Sequence, residues 1–99
     1  MNNKLLTYMG FAKKAGKLVS GVNTVTFNIN KRKVKLVILA EDISENSRKK
    51  IMKEIRKGQV DYIECGTIDE LSHATGAAGR SVFAILDDNF AEVIKKTID

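Results

Sequence analysis

The 99-residue chain has no proline, no tryptophan, one cysteine and one histidine, and aromatic residues make up only 6% of it. Each shortage excludes something. The single cysteine, Cys65, closes no internal disulfide and supplies no cysteine-based metal site. Without proline or low-complexity tracts nothing marks a linker, and residues 1–99 read as a single domain with one core. No apolar run approaches the roughly 18 residues of a membrane span. The opening Met1-Asn2-Asn3-Lys4 leads straight into a helical pattern rather than into the apolar core of a signal peptide. A reduced, cytoplasmic protein with no membrane association is therefore expected. His73 reads as a surface helix residue and Cys65 as packing. No catalytic constellation is visible, and the expectation is a non-enzyme without cofactor or metal.

What the chain does have is basic charge, unevenly spread. The formal net charge is +5, yet residues 1–57 hold 14 lysines and arginines against 4 acids, while residues 58–99 hold 3 against 8. A chain divided in this way is expected to carry a basic face and an acidic face, with a polyanion as natural partner of the first. A solvated lysine-rich surface is the plainer alternative.

Hydrophobic periodicity alternates between helix and strand. Leu5, Tyr8, Met9 and Ala12 fall at helical spacing in 3–14, and Gly16 is the expected stop. Leu18-Val19 reads as a short strand, and 22–32 as a helix with Val22, Val25 and Ile29 inward. Leu36-Val37-Ile38-Leu39-Ala40 is an unbroken apolar run, as in a strand covered on both faces. A helix over 45–57 follows, capped by Ser44 and ending at Gly58, then a strand Tyr62-Ile63-Glu64-Cys65. Thr67-Ile68-Asp69-Glu70 is a capping box whose helix ends at Gly76. Val82 to Leu86 is a second covered strand. Asp87 or Asp88 caps a last helix over 89–97, with Phe90, Val93 and Ile94 inward. The fold class expected is α/β: a three-layer α/β/α sandwich around a small four-stranded sheet, mainly parallel or mixed.

The richest segment is the joint Lys17-Leu18-Val19-Ser20-Gly21-Val22-Asn23-Thr24, where a strand ends in Ser-Gly and a polar helix begins. A helix N-terminus offers unpaired N–H groups to an anion, and asparagine can read a base edge. Lys13, Lys14 and Lys17 precede the joint, and Lys31, Arg32 and Lys33 follow it. The alternative is an ordinary helix start in which Ser20 or Asn23 caps and Gly21 serves the turn. Glu41-Asp42, after the covered strand, is a pair that could hold Mg²⁺ in a nucleotide-handling enzyme. The same residues could instead serve helix capping, with Ser44, and charge balance. Arg48, Lys49, Lys50, Lys53, Arg56 and Lys57 crowd one helix, and Glu45–Lys49 and Lys50–Glu54 are possible i,i+4 pairs.

The segment Gly21-Val22-Asn23-Thr24-Val25-Thr26, followed by Lys35-Leu36-Val37-Ile38-Leu39-Ala40-Glu41-Asp42, resembles the kink-turn RNA-binding ribosomal-protein family, best known from archaeal L-seven-Ae. The segment Gly10 to Gly21, with Glu41-Asp42-Ile43-Ser44-Glu45-Asn46-Ser47, is more similar to that family's short bacterial YlxQ branch. The resemblance covers nearly the whole chain. It implies that the helix start at Gly21 and Asn23, the positions matching the family's Gly and Asn, enters a sharply bent RNA at tandem sheared G·A pairs. On the charge reading, Lys13, Lys14, Lys17, Lys31, Arg32 and Lys33 are expected to hold phosphates, with Gly21, Asn23 and Thr24 supplying recognition. The resemblance also implies a second contact in Thr75-Gly76-Ala77-Ala78-Gly79-Arg80, where Ala77 and Ala78 would pack on a flipped-out nucleotide and Arg80 would reach a phosphate. Thr24 and Phe27 stand where the family's archetype has Glu and Lys, so altered recognition is expected. Phe27 has a ring that could stack on a base or join the core. The expected partner is structured RNA, kink-turn-like or ribosomal, bound by a monomer, with no DNA expected. A protein-interaction module that uses the acidic half remains the alternative from another class.

Overall fold

The computed structural model describes residues 3–98. Five helices alternate with four strands: α1 (Asn3–Lys14), β1 (Leu18–Ser20), α2 (Val22–Asn30), β2 (Leu36–Leu39), α3 (Glu45–Gly58), β3 (Tyr62–Glu64), α4 (Ile68–Thr75), β4 (Val82–Ile85) and α5 (Asp88–Lys96). The strands lie in the order β1-β4-β2-β3. The two unbroken apolar runs are the two central strands, and every residue of both is buried. β1 and β3, with mixed patterns, are the edges.

The sheet is mixed. β2 and β3 pair in parallel across the α3 crossover, whereas β4 runs antiparallel to both β1 and β2. The mainly parallel alternative is therefore excluded, because β4 enters between β1 and β2 from the opposite end. α1, α4 and α5 bury Leu5, Met9, Leu71 and Ile94 on one face, against Leu36, Ile38, Phe83 and Ile85. α2 and α3 bury Val25, Ile29, Ile51 and Ile55 on the other, against Val37, Leu39, Val82 and Ala84. Alternation along β2 and β4 thus feeds two cores from one sheet.

Element ends differ from the sequence reading in informative places. α2 stops at Asn30 rather than residue 32, since Arg32 turns left-handed at φ 59°. α3 runs through Gly58, and the left-handed residue after it is Gln59. The Thr67–Glu70 capping box forms as expected, and Gly76 ends α4 in the left-handed conformation. Asp87, not Asp88, caps α5 by accepting from the Phe90 N–H at 2.9 Å. On α5 the buried residues are Ala91 and Ile94; Val93, expected inward, is exposed. Among the described residues no helix is long and apolar enough to cross a membrane.

Candidate nucleic-acid interface

β1, β2 and β3 all end on one side of the sheet, the Gly21 edge formed by their carboxyl ends, where β4 begins. The ladder continues there beyond the strands: Gly21 N–H donates to the Val82 carbonyl at 2.9 Å, and Ala40 N–H to that of Ser81 at 2.9 Å. Gly21 is itself the N-cap of α2, at φ 96° and ψ 143°, with no side-chain cap hydrogen bond. Neither Ser20 nor Asn23 caps, contrary to the plainer reading of the joint. The Val25 N–H is the first to close an intrahelical bond, to the Gly21 carbonyl at 2.9 Å. The amides of the first turn have no intrahelical partner, and the positive end of the helix dipole lies at the same place.

Arg80 comes to this place from the other side. The Ser72 hydroxyl clamps its backbone, accepting from the Arg80 N–H at 3.1 Å and donating to the Arg80 carbonyl at 3.2 Å. Its guanidinium lies over Gly21, so closely that a Cβ on Gly21 would sit 2.9 Å from Arg80 Nη1. Glycine is favoured here by its positive φ, whereas the Arg80 side chain could swing aside for a Cβ. Together Gly21, Val22, Asn23, Thr24, Ser47, Gly79, Arg80 and Ser81 line an open depression of about 430 Å³. Asn23, Thr24 and Arg80 are exposed in it. Thr24 is held in place by buried Asn28, whose Nδ2 donates to the Thr24 carbonyl at 2.9 Å.

One helical turn beyond Asn23 on the same exposed face is Phe27. Phe27 belongs to neither core and is 59% exposed, with Lys31 Nζ 5.5 Å from its ring centroid. The ring is a surface feature covered in part by a cation.

The structure gathers only some of the expected site residues. Gly21, Asn23, Thr24 and Arg80 meet. Ala77 and Ala78 do not join them: Ala77 packs half-buried against the α1/α4/α5 core, its N–H donating to the Ser72 carbonyl at 3.1 Å, and Ala78 faces solvent. The left-handed turn at Gly76 throws Ala77 back inward. Lys17 sits four residues before Gly21, about 13 Å away along an extended strand. Lys31, Arg32 and Lys33 follow the far end of α2, about 14 Å from the joint by helical rise. Lys13 and Lys14 line a separate hollow with Gly10, Phe11 and Ala74. Cations that flank the joint in sequence are thus at the opposite edge in space, and Arg80 is the charged residue that lines it.

Ser47 was not singled out, although it lines the depression. Its signal was present: Ser44 caps α3 by accepting from the Ser47 N–H at 3.2 Å, and that helix starts at the same edge. Asp42 does not serve its own helix. Its Oδ1 accepts from the Ile68 N–H at 2.8 Å, fastening the start of α4 to the end of β2. Glu45–Lys49 forms a surface pair at 3.7 Å, while Arg48 pairs with Glu64. Cys65 lies beside this edge, its thiol pushed up to about 11 by burial, and further by Glu41 and Glu70.

Residues 3–95 match the ribosomal protein L7Ae/L30e/S12e/Gadd45 family. The chain belongs to this family. Within it the chain is of the YlxQ type: it is 33% identical over 96 residues to the RNA-binding protein YlxQ of Enterococcus faecium, covering 97% of this chain and 92% of that protein. YlxQ of Bacillus subtilis (strain 168), also called an RNA-binding protein, is 33% identical over 91 residues, covering 92% and 91%. Among solved structures, a Bacillus halodurans protein of unknown function superposes with TM-score 0.90 at 28% identity, over 97% of each chain. The Giardia lamblia 15.5 kD RNA-binding protein superposes with TM-score 0.76 at 20% identity, over 96% of this chain and 82% of that one. The second likeness shows that the L7Ae-family chain shares that protein's fold.

Proposed function

We propose that this L7Ae-family chain is a non-enzymatic cytoplasmic protein that binds structured RNA, kink-turn-like or ribosomal, as a single domain without a cofactor. The observation that carries this reading is the uncapped start of α2 lying beneath the Arg80 guanidinium, with exposed Asn23 and Thr24 beside it. Free amides and a planar five-donor cation suit phosphate and base-edge acceptors. Asn23 adds a side chain with both donor and acceptor. The relatives named RNA-binding proteins support RNA as the polyanion.

Within this reading Gly21 admits close approach of the RNA, Asn23 and Thr24 read it, and Arg80 holds a phosphate. Thr24 is neutral where the archetype has a carboxylate. Charge-assisted hydrogen bonds are about twice as strong as neutral ones, so Thr24 gives a weaker contact, and Phe27 offers a stacking face instead of an ammonium. The test is affinity for a kink-turn RNA against the same RNA with its G·A pairs replaced. Preference for the first is expected. Equal affinity overturns kink-turn recognition and leaves general RNA binding standing.

A further inference from the structure

At the edge of the sheet opposite Gly21, the carboxyl ends of α2 and α3 flank an open groove of about 520 Å³, lined by Arg32, Lys35, Lys57, Gln59, Val60 and Asp61 among others. We infer that this groove is a second RNA contact, gripping the phosphate backbone of a stem whose bent end is held at Gly21. The inference rests on the RNA-binding reading above.

The charge here exceeds what the fold needs. Cations near helix carboxyl ends are ordinarily explained by the macrodipole, about −0.5 of a charge per helix end, or roughly one unit for two. Lys31, Arg32, Lys33, Lys35, Arg56 and Lys57 place six positive charges on these two ends and the turn between α2 and β2. The terminal carbonyls already have backbone partners: the Lys31 N–H donates to those of Ile29 and Phe27, the Gln59 N–H to those of Arg56 and Ile55. Asp61, the acid in the lining, is taken by Lys95. Lys35 has only Asp88 at 3.9 Å, and among the described residues Arg32 and Lys57 have no carboxylate within 4.0 Å. Several units of positive charge are left facing solvent, and the partner they fit is a polyanion.

The lining also selects the part of the RNA. It holds no aromatic ring on which a base could stack, but an arginine fork and two lysines, which suit phosphates. Its walls are set by the backbone. Gly58 lets the end of α3 close on α2, where a Cβ would lie 2.7 Å from Ile29 Cγ2. Arg32 and Gln59 both turn left-handed, at φ 59° and 54°. The groove lies on the same α2/α3 layer as the Gly21 depression, about 14 Å away along α2. A stem of several base pairs lying along α2 would reach from one to the other.

The experiment measures the affinity of the whole protein for a kink-turn RNA with a long stem, the same RNA with the stem cut to two base pairs, and a long-stem RNA lacking the G·A pairs. Salt is varied for wild type, Arg32→Gln/Lys57→Gln and Asn23→Ala. Two lost phosphate contacts should flatten log K against log salt by about 1.5 and weaken long-stem binding roughly tenfold near 0.15 M salt, whether or not the G·A pairs are present. The short-stem RNA should be unaffected. A double variant with wild-type slope and affinity on the long stem overturns the inference, as does an equal loss on long and short stems. Unaltered melting of the double variant shows that the fold is intact. If wild type does not bind RNA, the functional reading itself fails. If wild type and Asn23→Ala bind all long-stem RNAs alike while the double variant flattens the slope, kink-turn recognition falls and the groove stands.

Discussion

Gly21 is the residue on which the depression is built, and it can be tested without any ligand. A side chain there must adopt φ 96°, and the end of the Arg80 side chain, whose Nη1 would lie 2.9 Å from the new Cβ, must swing aside. Gly21→Ala should destabilise the protein by about 1–3 kcal/mol, the range for a residue forced into a sparsely populated backbone region; urea unfolding reads this directly. Asn23→Ala should behave in the opposite way. Its side chain caps nothing, so stability should hold within about 0.5 kcal/mol, while discrimination between kink-turn and control RNA should fall by about 1–3 kcal/mol, as for loss of a good base-edge contact. Cys65 carries a pH signature. Its thiol lies at about 11 against an ordinary 9.0, chiefly through burial, so the folded state holds the proton more tightly. That stabilisation is complete below 9 and is lost as pH rises towards 11. Wild type should therefore lose more stability over that interval than Cys65→Ala, and its thiol should alkylate slowly at pH 8; equal alkaline losses would contradict this. The sequence marked Gly21 as special because Ser-Gly at a strand end is conspicuous. That Gly21 would be the cap itself, leaving Ser20 and Asn23 uninvolved, depends on Arg80 arriving from far along the chain.

At the scale of elements, local chemistry was legible and long-range pairing was not. The Thr67–Glu70 box needs only four consecutive residues, and it forms as read, with the Glu70 N–H on Thr67 Oγ1 at 3.1 Å and the Thr67 N–H on Glu70 Oε1 at 3.0 Å. Asp42 serves the same helix start from 26 residues away, which no local pattern announces. Loss of Thr67 as cap should remove about 1 kcal/mol, within the 0.5–2 range for such caps, and lower Tm by about 4–8 °C in a domain of this size. Asp42→Asn, which keeps an acceptor but removes the charge, should have the smaller effect of about 0.3–1 kcal/mol. A Thr67→Ala variant that melts with wild type would show that Asp42 and Glu70 hold the start of α4 without the Thr67 hydroxyl. Strand direction was the other illegible feature. Apolar runs identified β2 and β4 as the covered strands, but a run reads the same in either direction. The antiparallel placement of β4 follows from the path of the Gly76–Arg80 loop, which Ser72 pins to α4 and which returns the chain to the Gly21 edge.

At the scale of the whole molecule, the charge imbalance was plain in the sequence while its placement was not. β1 and α2 each cross the sheet, so residues on either side of Gly21 in sequence end at the far edge, and the joint is left with Arg80. The same two-sidedness organises stability. β2 and β4 send alternate residues into two cores, Ile38 and Phe83 to one face, Val37 and Ala84 to the other. Because one pair of strands serves both, neither core can melt while the other keeps its sheet. Ile94→Val trims the α1/α4/α5 core and Ile51→Val the α2/α3 core, both at fully buried positions. Each should cost about 0.5–1.5 kcal/mol, and side chains separated by the sheet share no partner, so the double variant should show the sum within about 0.5 kcal/mol. Urea unfolding followed by tyrosine fluorescence and by far-ultraviolet circular dichroism should give coincident single transitions in all three variants, with an unchanged m-value. Two separated transitions in either single variant would mean that the cores unfold independently and that β2 and β4 do not couple them.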